Sequence, residues 1–487
     1  MPKIRSVVAL PVLALVGCTL APHYESPPPP VAKEWPAQGP VYTAGTSATA
    51  DLGWRDFFGD PRLQALIELA LANNRDLRVA TLNVDHLRAL YRVQRAELLP
   101  NIDATGSDTR SRVPASISPY GFGYTGSVYN VGLSLNAYEL DLFGRVRSLR
   151  DAALEQYFSG EEAQRSAQLV LIANVANQYV TECAYDEQRA IAEQTLESNR
   201  TTLELTKHRY EVGSASELDL RTAETEVQTA RADLASFAQL RAQAFNALVL
   251  LVGCPLPDNL PPPQPLARDS LIEDLPAGLP SDLLVRRPDV REAEHDLKAA
   301  NASIGAARAA FFPSIVLTAS GGASSAQLDQ LFKPGSGAWA FAPAVTLPIF
   351  AGGANRANLE AAKVEKQIEI ALYEKAIETA FREVADEIVA RSSVVEELEA
   401  QTARLAAEER RYALSKQRYE QGIDSYIVLL TSERDLYTAQ QLLVQAQQAR
   451  LTNLINLYKA LGGGWSEHTV AAAPRTAERS VASRGPG

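Results

Sequence analysis

The chain repeats itself at a distance of 209 residues. Arg209-Tyr210-Glu211-Val212-Gly213 returns as Arg418-Tyr419-Glu420-Gln421-Gly422, and the same offset persists through the segment after each copy. In the first copy Leu220, Ala223, Val227, Ala230, Leu234, Phe237, Arg241, Ala244, Leu248 and Leu251 advance by three and four, the a/d seam of a coiled coil. Leu429, Ser432, Leu436, Ala439, Leu443 and Ala446 keep that register, and the seam arginine returns as Arg450. A seam of this length predicts helices longer than globular domains use. Its duplication predicts two quasi-equivalent helical hairpins rather than a compact enzyme.

Both hairpins should turn at the same place. Gly213 and Gly422 stand where a left-handed residue would end a helix. Ser216 and Asp219 then form an [ST]-x-x-[DE] capping box for the returning helix, and Asp424 or Ser425 can cap its counterpart. The turns at 212–217 and 421–426 are therefore expected at the far tips. The helical stretches leading to them, 145–211 and 353–420, would each reach nearly 100 Å at about 1.5 Å per residue. That exceeds any bilayer, so they must project into a compartment.

Ahead of each hairpin the periodicity changes from helix to strand. A helix from Pro61 to Leu99 should stop at Pro100, and one from about Ser281 to Phe312, interrupted near Pro288, should stop at Pro313. From Tyr129 to Tyr138, Tyr129, Val131, Leu133, Leu135 and Ala137 share one face against Asn130, Gly132, Ser134, Asn136 and Tyr138. Trp339, Phe341, Val345 and Leu347 likewise oppose Ala340, Ala342, Ala344 and Thr346, and Ile315, Leu317 and Ala319 oppose Ser314, Thr318 and Ser320. The segment Ile102 to Arg112 alternates less cleanly, with Asp103, Thr105, Ser107 and Thr109 on one side. Long loops are expected at 113–128 and 322–338. Four strands of about ten residues, apolar on one face, match a bilayer barrel wall, and four cannot close one. Several copies must share it; the alternative is a soluble sandwich with one solvated face.

The N-terminus reads as an address. Lys3 and Arg5 precede an apolar run from Val7 to Val16, and Leu15-Val16-Gly17-Cys18 has the form of a lipobox that would leave Cys18 as an acylated N-terminus; an ordinary signal peptide is the alternative. The Pro-rich stretch Ser26 to Pro40 should run extended as a strap. After Cys18 there is no run of about 18 apolar residues, so no transmembrane helix is expected and any spanning must be done by strands. Cys183 and Cys254 fall too far from a common hairpin level to pair, and read as small buried residues. The net charge of −11, with no basic stripe, argues against nucleic acid. His23, His86, His208, His295 and His468 are scattered without ligand spacing and are expected at exposed positions. Gly462-Gly463-Gly464 closes a helix and opens none, which suits a helix stop and not a phosphate cradle. No residue constellation points to catalysis or to a cofactor.

Several longer motifs carry a resemblance. Glu139-Leu140-Asp141-Leu142-Phe143-Gly144-Arg145, Leu283-Leu284-Val285-Arg286-Arg287-Pro288-Asp289, the stretch Ala300 to Pro313, and Ala460-Leu461-Gly462-Gly463-Gly464-Trp465 closely resemble the outer membrane factor family, in its OprM-like lipoprotein branch and more distantly its TolC-like channels. The resemblance spans about Cys18 to Trp465. It implies a homotrimer whose protomers give four strands each to a 12-stranded outer-membrane β-barrel, continued by a coiled-coil α-barrel into the periplasm. It also implies a passive efflux channel for drugs and small toxic molecules, served by a periplasmic adaptor and an inner-membrane resistance-nodulation-division transporter. A periplasmic lipoprotein adaptor with coiled-coil hairpins is the competing reading.

The family's leucine, aspartate and arginine gate positions correspond here to Ile427, Thr431 and Arg434, so threonine stands where the pattern has aspartate. Glu433, with Asp219 and Arg221 of the first repeat, are further gate candidates. Adaptor contact is expected at Gly213, Ser216, Gly422 and Asp424. The expected organisation is a signal peptide over 1–17, a lipid-anchored strap over 18–55, repeats over 56–253 and 281–465 joined by a connector at 254–280, and a polar tail at 466–487.

Overall fold

The computed structural model describes residues 19–32, 35, 52–266, 271, 275 and 286–469. Cys18 and the leader, much of the connector and the end of the tail lie outside the described residues. Helices are α1 (Trp54–Phe57), α2 (Pro61–Asn73), α3 (Arg75–Ala96), α4 (Arg145–Glu211), α5 (Glu217–Val252), α6 (Pro288–Ala309), α7 (Ala354–Glu420) and α8 (Tyr426–Ala460). Strands β1 (Ile102–Val113) and β2 (Tyr124–Leu140) precede α4, and β3 (Ser314–Ser325) and β4 (Gly337–Thr346) precede α7. The duplication is kept to the residue in the long hairpins: α4 and α7 each have 67 residues and start 209 positions apart.

Two compact units form. One comprises the chain up to Pro28 with Asn83–Glu161 and Glu292–Tyr373; the other comprises Pro29–Leu82, Glu162–Arg291 and Glu374–Gly487. The first holds a single antiparallel sheet in the order β1-β2-β3-β4, so the two hairpins lie side by side through β2 and β3. Pairing puts Ile102, Leu135, Ala319 and Phe341 across one face, and Ala104, Leu133, Gly321 and Trp339 across the next row. That face is apolar and exposed: Leu133 is 58% exposed and Trp339 82%. Both edges, β1 and β4, lack a partner strand among the described residues.

Several expectations change here. The helix expected from Pro61 to Leu99 is two helices, because Asn74 adopts an extended ψ of 134° while its side chain accepts from Leu77 N at 2.9 Å and donates to Leu251 O at 2.8 Å. The break thus caps α3 and ties it to α5. The expected loops at 113–128 and 322–338 are shorter, since Tyr124 to Val128 and Gly322 to Ser325 continue the ladder; main-chain hydrogen bonding carries these Gly/Ser positions past where side-chain alternation fades.

The third change is on β2. A bulge lies between Leu135 and Tyr138, where Ala137 has φ 53°, so Tyr138 pairs with Leu317 on the apolar side instead of following Asn136. By length and composition alone, α5 is also apolar enough to cross a membrane. Off its buried seam, Phe245 and Leu250 are exposed within one copy.

The second unit's core follows the predicted seams. Ala223, Val227, Ala230, Ala244 and Leu248 are buried on α5, and Leu429, Ser432, Ala439, Ala446, Asn453 and Leu457 on α8. Cys183 is buried and free, its thiol pushed up to about 12 by burial; Cys254, also free, is half-buried and not fully buried as expected. In the first unit, His295 is not the exposed residue expected. Its Nδ1 lies 2.7 Å from Glu155, and the side chain is 18% exposed.

Candidate functional site

The tips of the two hairpins meet in the second unit around an open groove of about 670 Å³. Each tip closes with the same pair of main-chain bonds. Ser214 N donates to Arg209 O (2.7 Å) and Gly213 N to Tyr210 O (2.9 Å); Ile423 N donates to Arg418 O (2.9 Å) and Gly422 N to Tyr419 O (3.0 Å). This six-to-one and five-to-two pattern needs a left-handed residue, supplied by Gly213 (φ 76°) and Gly422 (φ 73°). A side chain at either position would cost strain, so the turn geometry follows from the two glycines.

The returning helices start differently. Ser216 and Asp219 form the expected reciprocal capping box, with Asp219 N donating to Ser216 Oγ at 3.1 Å and Ser216 N to Asp219 Oδ2 at 3.1 Å. In the second copy Ser425 is the N-cap residue but makes no side-chain cap: Val428 N donates to Ser425 O at 3.1 Å, and Val428 has no carboxylate for the reciprocal bond of a capping box. Asp424 does not cap either. Its carboxylate takes both arms of Arg418 at 2.6 and 2.8 Å, which holds its pKa below the ordinary carboxylate range. The equivalent of Asp424 in the first copy is Ala215, and Arg209 lies instead over the Tyr419 ring at 4.7 Å.

The gate candidates separate into two groups. Ile427 is 59% exposed beside Thr431, whose hydroxyl donates back to Ile427 O at 2.8 Å. Arg434 forks onto Glu226 of α5, through Nε to Oε2 at 3.2 Å and through Nη2 to Oε1. Glu226 is therefore the carboxylate that holds Arg434 in a chain with threonine at position 431. No motif marked Glu226; its seam neighbour Val227 hid it, and only the packing of α5 on α8 brings it within reach. Asp219 is used in capping, and Arg221 pairs with Glu217 and Glu224 on the exposed surface of its own helix.

Glu433 faces inward, 9% exposed, and accepts from Ser198 Oγ at 2.7 Å. Burial, with Glu226 nearby, holds its pKa above the ordinary carboxylate range, against the opposing pull of Ser198 and Lys416. A carboxyl whose folded pKa is raised weakens the fold above that pKa, and the penalty disappears once the pH falls below the unfolded value. Glu433→Gln is therefore expected to raise the thermal unfolding midpoint at neutral pH. The gain should shrink on acidification and vanish below about pH 4. Melting curves of parent and variant across that range check this, and a lower midpoint at neutral pH would assign the charge a stabilising role.

The motifs singled out in the sequence turn out to be junctions. At the turn from β2 into α4, Arg145 grips Glu139 (2.9 and 2.7 Å), Arg147 N donates to Asp141 at 2.9 Å, and Phe143 stacks on Phe312 at 4.7 Å. In the second unit Arg287, 8% exposed at its side chain, binds Asp289 (2.9 and 2.6 Å), Glu383 (2.8 Å) and Ala460 O (2.9 Å). Along α6 of the first unit, Arg308 donates to Leu20 O, Asn301 to Pro22 O, and Tyr24 to Glu294. A Cβ at Gly305 would sit 2.7 Å from Ala21 N, so glycine lets the strap lie flat on the helix.

Comparison with known proteins gives these features a common frame. The profile of the outer membrane efflux protein family matches residues 66–254 and 279–463, one match per repeat. The chain belongs to the outer membrane efflux protein family. It is 50% identical over 470 residues to the antibiotic efflux pump outer membrane protein ArpC and to the toluene efflux pump outer membrane protein TtgC, both of Pseudomonas putida. Each alignment covers 96% of this chain and 97% of the relative. The crystal structure of the open state of the Neisseria gonorrhoeae MtrE outer membrane channel superposes with a TM-score of 0.86 at 42% identity, covering 93% of this chain and all of that one. Membership places the chain in the outer membrane as an efflux channel component. It also sets aside the soluble sandwich and the periplasmic adaptor.

Proposed function

We propose that three copies of this chain close one 12-stranded barrel and form a passive export duct, gated at the helix tips. The observation that carries this is the four-stranded meander with an apolar outer face and two open edges. A spanning sheet leaves no edge in lipid, so β1 of one copy must pair with β4 of the next. Exposed apolar residues of α5 beside its buried seam, Phe245 and Leu250, support the same association through the helices. Substrates are drugs, solvents and other small toxic molecules handed over by an inner-membrane resistance-nodulation-division transporter through a periplasmic adaptor. The adaptor meets the turns at Gly213, Ser216, Gly422 and Asp424. The duct catalyses no reaction and needs no cofactor. Purified protein in a planar bilayer should conduct as a trimer; a conducting monodisperse monomer would refute the shared barrel.

The anchor in this reading is lipid on Cys18. The strap supports it: Tyr24, Pro22 and Leu20 climb α6 past Glu294, Asn301 and Arg308 towards the start of β3. Residue 19 thereby leaves the strap near the foot of the strands. Mass spectrometry of the mature N-terminus should find a diacylglyceryl group on Cys18, and cleavage elsewhere would sink the claim. Loss of the lipid should weaken anchoring without abolishing the channel, since one anchor adds to a barrel already in the membrane.

The gate in this reading is Ile427, Thr431 and Arg434 repeated around the axis, with Arg434 held by Glu226. Arg434 keeps 57% of its side chain in water, so each link contributes about 0.2–1 kcal/mol, and three copies act together. Ile427→Ala combined with Arg434→Ala should raise single-channel conductance and admit large antibiotics such as vancomycin while the trimer persists. Leu234→Ala should cost stability without opening the pore. If the double variant conducts like the parent, the gate lies elsewhere, and Asp219 and Arg221 become the next residues to test.

A further inference from the structure

The β1-β2 hairpin outgrows the rest of the sheet. Pairing of β2 with β3 ends at Tyr129 and Ser325, yet β1 and β2 stay paired for five more rungs, out to Val113 and Tyr124. Register decides what these rungs present. Residues opposite one another in an antiparallel pair share a face, so the side carrying Ala104-Leu133 and Gly106-Val131 continues as Asp108-Tyr129, Arg110-Ser127 and Arg112-Thr125. The apolar outer face therefore changes abruptly to charge. From Leu347 up to Gly337 the strand path is about 33 Å, or about 25 Å along the membrane normal at a tilt near 40°. That fills the apolar band, from which arginine is strongly excluded at the bilayer midplane. Arg110 and Arg112 thus stand above it.

The two arginines form no ion pair or hydrogen bond through their side chains among the described residues, and both are exposed. They lie two residues apart on one face, about 7 Å between backbones, with the hydroxyls of Ser127 and Thr125 directly across the ladder. Two guanidinium forks beside two hydroxyl donors, at the height of the outer headgroups, suit a phosphate that is fixed in a membrane plane. Asp108 is the nearest acidic residue on that face, two rungs closer to the apolar band than Arg110, which discourages anions from sitting lower.

We propose that Arg110 and Arg112, with Ser127 and Thr125, recognise the phosphates of the phosphorylated glycolipid in the outer leaflet. This rests on the outer-membrane barrel reading given above. The site would be occupied by lipid that surrounds each trimer, three sites per barrel, and would fix the height at which the barrel sits.

The test uses the full-length protein in detergent, with binding of lipid A followed by native mass spectrometry and by titration of a fluorescent analogue. The parent should bind bisphosphorylated lipid A about tenfold more tightly than its dephosphorylated form, equivalent to about 1.4 kcal/mol. Arg110→Ser with Arg112→Ser should bind both forms alike, at the parent's dephosphorylated level. Lysine at both positions should restore part of the preference. Inorganic phosphate at matching concentration should leave the lipid bound, and displacement would make this a site for free anions and overturn the assignment. Equal binding of the two lipids by the parent, or an unchanged preference in the serine variant, would also overturn it, the second result fitting arginines neutralised by a neighbouring copy. Trimer mass and planar-bilayer conductance are measured on the same samples. If those hold while lipid preference is absent, only the phosphate site falls; if they fail, the barrel reading falls with it.

Discussion

Arg287→Leu is expected to destabilise the second unit by about 3 kcal/mol, the lower end of the range for breaking a buried ion pair. Burial works against the charge of Arg287, but Asp289 and Glu383 outweigh it and hold its pKa above the ordinary arginine value. Its four bonds gather the start of α6, the middle of α7 and the last carbonyl of α8. Leucine fills the volume and leaves two carboxylates facing each other. Both keep about a third of their surface in water (35% each), so the cost falls short of a fully enclosed pair. Lysine should recover only part of the loss, because an ammonium cannot fork onto Asp289 while reaching Ala460 O. Arg287→Leu with Glu383→Leu should cost less than the two single changes added. Thermal melts followed by circular dichroism check these values, and a parent-like melt for Arg287→Leu would remove the junction from the stability argument.

A charge on the outer face of the sheet is the second large effect. Leu133→Arg is expected to destabilise the membrane-embedded trimer by about 2–4 kcal/mol, as arginine does near a bilayer midplane. Leu133 pairs with Ala104 and Gly321, in the middle of the apolar rows. Its neighbour Ser134 pairs with Asp103 and Ser320 on the opposite face, and Ser134→Arg should be tolerated there because that face meets water. Comparing the two variants for trimer survival on heating in detergent and for yield in the outer membrane separates them. Equal tolerance would reverse or abolish the inside-outside assignment.

Much of this architecture was legible in one dimension because its elements are long and periodic. The heptad seams, Gly213 and Gly422, and the capping box of Ser216 and Asp219 each express a local rule: helical spacing, the need for positive φ, or a reach of three residues. Local rules fail where a side chain chooses between partners. Asp424 has the residue type of a cap, yet Arg418, six positions earlier, offers a stronger charged bond, and the cap is left unmade. The bulge at Ala137 likewise moves Tyr138 to the other face, a shift that alternation cannot reveal because one inserted residue changes the parity of all that follow.

The duplication, the fold class, the alternation of helix and strand and the family could be read from the amino-acid sequence, since these depend on composition, spacing and motifs within short reach. Tertiary structure alone decided that β2 pairs with β3, that Glu226 rather than a residue at position 431 holds Arg434, that Arg287 is the hub of three helices, and that Arg110 and Arg112 share the face of Leu133. Each of these joins residues that are far apart in the chain or depends on the register between strands. The physical reason is that a pairwise contact is set by the packing of whole elements, and no single segment carries the information about what another will place opposite it.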